Sequence, residues 1–233
     1  MSLPHVHKNA RDDSIRDEAT PTTAATLSRR ETLKTGAASM LFLFSLGHVG
    51  ADISERLARL AGEGPMTGER LAGLLRTERG RWTDLLAEIG PERMELAGVE
   101  GAWSVKQIVA HLTWYERAVV EGARQVMGTG AFTKSQTGLR ALTMDERNAI
   151  LAAEADARPL SDVLQEADQV FGDLVTIIAA APANILNDPH VLGLPDDLVP
   201  WMAVANNSYA HYQHHEQAIR AWLDRQGAMS DVE

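Results

Sequence analysis

His211 and His215 stand one helical turn apart within Trp201–Leu223, WMAVANNSYAHYQHHEQAIRAWL. Residues four apart on a helix are surface neighbours, with about 5–6 Å between Cβ atoms. Two imidazoles so placed can share one metal ion at about 2.0–2.1 Å each. The stretch is apolar at helical spacing, and Val204, Ser208, His211, His215, Ile219 and Trp222 fall near one face. A histidine pair there reads either as metal ligands or as half-buried side chains hydrogen-bonded to neighbouring helices. A third ligand from another helix would separate the two. His111 is the candidate, on a helical stretch running to about Gln125 with Ile108, Leu112 and Tyr115 on its face. Alone, His111 reads as a core histidine; opposite His211 and His215 it completes a set of three. Tyr115 and Glu116 follow one turn later as candidate catalytic acid–base or outer-sphere groups, or as simple lining of the bundle. Asn207, one turn before His211, could orient a ligand, a cofactor or a histidine. The pair is not a zinc-protease motif, because Tyr212 stands where that motif needs Glu.

Three neutral imidazoles suit Zn²⁺, Ni²⁺ or Fe²⁺ and leave a position open for water or a substrate thiolate. This chemistry fits a metal-dependent hydrolase or thiol-dependent transferase of a small molecule. Two other readings stay open: a non-catalytic protein that binds or sequesters a small molecule, which the resemblance given below would place in stress or self-protection, and a structural bundle with core histidines.

The elements that must position these residues are helices. Ala, Leu, Glu and Arg dominate, aromatics are sparse and alternating β-branched runs are nearly absent, so the fold class is all-α. A hydrophobic fraction of 45% in 233 residues is enough for one domain with a real core. The net charge of -10 argues against nucleic acid as the main partner. The absence of cysteine excludes disulfides, thiolate ligands and a cysteine nucleophile.

The chain divides into a leader (1–51), a linker (52–66), a helical domain (67–226) and a tail (227–233). Residues 1–27 are polar and read as disordered. Ser28-Arg29-Arg30-Glu31-Thr32-Leu33-Lys34 precedes a short apolar run around Met40–Phe44 and resembles a twin-arginine export motif, with Thr32 where that motif prefers Phe. The competing reading is an amphipathic helix with an incidental Arg-Arg. An export leader places the protein outside the cytoplasm, or tethers it to the membrane if uncleaved; the alternative is cytoplasmic. His5, His7 and His48 receive no role.

In the domain, Thr67 caps a core helix carrying Leu71, Leu74, Leu75, Trp82, Leu85, Leu86 and Ile89, which Gly90-Pro91 stops. The glycine-bearing loop Gly98–Ala102 feeds Trp103, and Ser104 with Gln107 makes a capping box that fixes the start of the second long helix. Thr143 and Glu146 form another, opening a short helix to about Ala157. Ser161 is expected to cap the third core helix, and Gly227 to stop the last. The long connection between the second and third core helices is compatible with those helices running parallel.

These pieces together resemble the DinB-like four-helix bundles, especially the ClbS/DfsB branch. The matching segments are Gly98 to Trp103 into Ser104-Val105-Lys106, Ala110-His111-Leu112 with Trp114-Tyr115-Glu116, Asn187-Asp188-Pro189, Asn207-Ser208-Tyr209 with His211-Tyr212 and His215, and Ile219–Leu223. The resemblance covers roughly Thr67–Gln226. It implies a bundle with a long crossover between helices 2 and 3, a divalent metal on His111, His211 and His215, and a homodimer. Some relatives use a low-molecular-weight thiol. His214 occupies a place that is commonly acidic.

Overall fold

The computed structural model describes residues 51–130, 132–133, 137–192 and 199–230. The leader, with its arginine pair, lies outside them. The described residues form helices α1 Ala51–Gly62, α2 Gly68–Ile89, α3 Pro91–Met94, α4 Val105–Thr129, α5 Met144–Asp156, α6 Leu160–Ala179, α7 Ala183–Leu186, α8 Pro200–Asn206 and α9 Tyr209–Ser230, with short 3₁₀ turns at Gly138–Ala141 and Pro189–Val191. No strand occurs among them, so the fold is all-α, as the composition predicts.

The four long helices pack in a ring, α2 on α6, α6 on α4, α4 on α9, and α9 back on α2. Cross-helix pairs set their directions. Arg117 pairs with Glu166, and Arg124 reaches Asp173 at 2.8 Å, so both partners advance by seven residues and α4 runs parallel to α6. The long crossover carrying α5 makes that parallel arrangement feasible. Arg79 bonds Tyr212 and Arg220 faces Glu88, so α2 and α9 are also parallel. Leu71, Leu75, Trp82, Leu85 and Ile89 of α2 are buried, as their spacing predicts, and they meet Ile108 and Leu112 of α4, Leu174 and Ile178 of α6, and Ile219 and Trp222 of α9 in one core.

Local signals account for most helix ends. Thr67 Oγ1 accepts from Arg70 N at 3.2 Å and caps α2, and Gly90 at φ 77° ends it. The N-terminal turn of α2 abuts the end of α6 so closely that a Cβ on Gly68 would lie 2.5 Å from the Ile178 carbonyl oxygen. Both capping boxes form, at Ser104/Gln107 and Thr143/Glu146.

Four local expectations change. The second long helix continues past Gln125 to Thr129, where left-handed Gly130 ends it. Pro159, not Ser161, stands at the N-cap of α6; the Ser161 hydroxyl turns to Asp162 Oδ1 at 3.2 Å. Trp201–Leu223 is two helices, broken at Asn207-Ser208. There Asn207 Nδ2 donates to Ala203 O at 2.8 Å and Ser208 Oγ to Val204 O at 2.6 Å, competing with the backbone ladder. Gly227 does not stop α9, because one helical glycine costs only about 1 kcal/mol and nothing there forces the chain to turn. The linker 52–66 carries most of α1, and Leu57, Leu60 and Met66 are buried in the core. Asn187 fixes its end, accepting from Met66 N at 2.9 Å and donating to Met66 O at 2.8 Å.

Candidate metal centre

The site begins with the loop before α4. Val99 N donates to Trp103 O at 2.9 Å and Trp103 N to Glu100 O at 3.1 Å, closing a tight turn with Gly98 and Gly101 at φ 94° and 61°. Ser104 Oγ accepts from Gln107 N at 3.3 Å while Gln107 Oε1 accepts from Ser104 N at 2.8 Å. This fixes the first turn of α4 and hence the depth of His111, two turns on. The Trp103 ring packs against the His111 ring, 5.2 Å between centroids.

The three predicted histidines converge. His111 Nε2 lies 3.1 Å from His211 Nε2. The His215 ring is 5.3 Å from His111 and 4.9 Å from His211. One ring nitrogen from each lies within 4.8 Å of the others, and all three residues are buried. Tetrahedral coordination with nitrogens at about 2.0–2.1 Å separates ligand nitrogens by roughly 3.3 Å, so modest ring rotations would bring this set onto one ion.

The second nitrogen of His215 tests the fit. His215 Nδ1 sits 2.6 Å from Glu100 Oε2. A carboxylate accepts, so Nδ1 carries a proton, and in the neutral ring Nε2 is then a bare lone pair. Nε2 is buried without a hydrogen-bond partner. A buried acceptor with no donor is costly in a purely structural core and is what an absent cation would leave. A carboxylate behind a ligand histidine is also the usual device for fixing its tautomer. The donor set fits a divalent borderline metal.

These rings border a cavity of ≈ 170 Å³, with Glu100, Trp103, Tyr115, Met144, Asn148 and His214 completing its wall. Tyr115 stands 4.9 Å, ring to ring, from both His111 and His211. Its hydroxyl accepts from Arg147 Nη2 at 3.2 Å. Guanidinium only donates, so the Tyr115 proton points elsewhere. Arg147 is itself buried, its guanidinium 4.7 Å from the Trp114 ring, which anchors α5 against α4. Asn148 Oδ1, from the next residue of α5, is buried without a hydrogen-bond partner.

Glu116 and Asn207 lie elsewhere. Glu116 is fully buried and accepts from the Tyr212 hydroxyl, with Arg79 Nη1 4.0 Å away. Burial pushes its carboxyl up to about 7, against the opposing pull of Arg79 and the Tyr212 hydrogen bond. Burial, then the charge of Glu116, likewise pushes the Tyr212 hydroxyl well above its ordinary range. Trp82 stacks on Tyr212 at 5.3 Å, a packing role. Asn207 borders a different, apolar cavity of ≈ 70 Å³ between α4, α6, α7 and α8. Sequence reasoning did not find Glu100, Met144 and Asn148. Glu100 had one signal, its position in a glycine-closed turn next to the start of the His111 helix.

A family model of the DinB superfamily matches residues 74–219. A search of curated proteins finds no match. Two crystal structures share the fold. One, of a protein from Streptococcus pneumoniae, has a TM-score of 0.57 at 12% identity, over 69% of this chain and 92% of that one. The other, of an uncharacterised protein from Escherichia coli UTI89, has a TM-score of 0.54 at 15% identity, over 71% and 97%. The all-helical fold, the converging histidines and a family match over more than half the chain lead to one conclusion: this chain belongs to the DinB superfamily.

Proposed function

We propose that His111, His211 and His215 hold a Zn²⁺, Ni²⁺ or Fe²⁺ ion and that the pocket is the active site of a metal-dependent enzyme, a hydrolase or thiol-dependent transferase, acting on a small molecule. The observation that carries this is the buried, partnerless His215 Nε2 facing two other imidazoles while Glu100 holds its far side. An ion bound by neutral imidazoles supplies a Lewis acid with a free position for water or a thiol. The chain's own residues do the rest. Glu100 keeps Nδ1 of His215 protonated. The Tyr115 hydroxyl, occupied as acceptor by Arg147, has its proton free to donate to a substrate oxygen. Asn148 Oδ1 offers an acceptor for a substrate N–H or O–H. A cavity of ≈ 170 Å³ limits what enters to a small molecule or one end of a larger one.

A second reading is a non-catalytic protein that sequesters a small molecule in stress or self-protection; the separate apolar cavity favours it. Membership of the ClbS/DfsB branch, a low-molecular-weight thiol cofactor, a homodimer and export or membrane tethering through the twin-arginine-like leader belong to the same proposal. They rest on the sequence motifs alone. Among the described residues no helix is long and apolar enough to cross a membrane, and the leader lies outside them.

The test is metal content of untagged protein beside the His111→Ala variant. One equivalent in the first and a large loss in the second is expected. Equal content in both refutes the site. Turnover abolished by a chelator and restored by metal separates the enzyme from the sequestering protein.

A further inference from the structure

We propose that Glu100 and His214, beside the outer edge of His215, form a cation-capture site at the pocket mouth, which takes a divalent ion from solution before it passes to the three inner imidazoles. The inference rests on the metal-centre reading above. Its ground is a second cluster of ligand atoms, from Glu100, His214 and His215, lying within 4.8 Å of one another. Glu100 Oε2 is 2.6 Å from His215 Nδ1 and Oε1 is 3.9 Å from His214 Nε2. The two clusters share one residue, His215. Glu100 engages its Nδ1, leaving Nε2 for the inner set.

Exposure orders the clusters from outside to inside. The side chains of Glu100 and His214 are 39% and 29% accessible, that of His215 only 5%. The inner three are imidazoles under cover, which carry no negative charge to draw a hydrated cation. Among the described residues bordering this cavity, Glu100 is the one carboxylate. It supplies the attraction, and a hard oxygen ligand exchanges readily with the water shell of an incoming ion. The ion then trades carboxylate for imidazole, which suits a borderline metal better. Glu100 is held at the mouth by the closed Val99–Trp103 turn, so it is in place before any ion arrives.

The experiment follows uptake of Co²⁺ by the metal-free full-length protein in stopped flow, read by the absorbance of the imidazole-bound ion. In His214→Ala, which removes an outer ligand and leaves the inner three intact, the association rate falls about tenfold. The dissociation rate falls by the same factor, because the inner ligands that set the equilibrium are untouched, and the capacity of one ion per chain stays unchanged. Uptake at the parent rate overturns the capture site, and so does a loss of inner-site capacity, which would make His214 an inner ligand. Failure of the underlying reading looks different: the parent takes up no ion, or His111→Ala takes up as much as the parent.

Discussion

Glu116→Gln should make the protein more stable than the parent at pH 8, with a much smaller gain at pH 5. The carboxyl is fully buried and its pKa is pushed up from 4.5 to about 7, chiefly by burial. Between those values the unfolded chain has lost this proton and the folded chain keeps it. The folded state therefore binds more protons, and stability falls as pH rises through that window. Below 4.5 both states are protonated and the effect vanishes; above 7 both are ionised and the loss is complete. The rise of about 2.5 units, at about 1.36 kcal/mol each, amounts to roughly 3 kcal/mol. Gln cannot ionise, and its side-chain carbonyl still accepts from Tyr212. Other titrating groups are common to both proteins and cancel in the difference. The assay is urea unfolding of both metal-free proteins from pH 5 to pH 8. The stability of the variant relative to the parent should climb by about 2–3 kcal/mol across that range. A difference constant to within about 0.5 kcal/mol would refute the reasoning, and one that shrank with pH would show that Arg79 outweighs burial.

Two further outcomes are expected. Glu100→Gln keeps an acceptor for His215 Nδ1 but loses the charge, so metal affinity in a competition titration with a chelator should fall about 10-fold or more; unchanged affinity would remove Glu100 from the site. Gly68→Ala should destabilise by about 3 kcal/mol in chemical denaturation, although Ala is the better helix former. Its Cβ would lie 2.5, 2.6 and 2.9 Å from the backbone oxygens of Ile178, Ala179 and Ala181. A gain in stability would show that α2 and α6 part easily.

What could be read in advance follows the range of the interaction. The caps at Thr67, Ser104 and Thr143 are contacts over three residues, and all three form. His111 and the His211/His215 pair were legible because each sits on the apolar face of its own helix, and two such faces in one core must meet. The break at Asn207-Ser208 was not legible, because nothing but a side-chain preference for local carbonyls marks it. That break resets the helical phase, so Asn207, four residues before His211, borders the apolar cavity instead of the histidines. Glu116 is legible as a candidate acid–base group, but its partners Tyr212 and Arg79 come from helices 96 and 37 residues away in the chain. Glu100 bonds a histidine 115 residues later; no local pattern encodes such a pairing.

The helix between the two parallel members of the ring has a consequence of its own. The imidazoles belong to α4 and α9, whereas Met144 and Asn148, on the facing wall of the cavity, come from α5, which packs chiefly on α4. Under the proposed function, rewriting some of these thirteen residues while sparing buried Arg147 would change which molecule is admitted and leave the three imidazoles in place. Selectivity would then be a detachable trait, and α5 is where a search for altered substrate preference should begin.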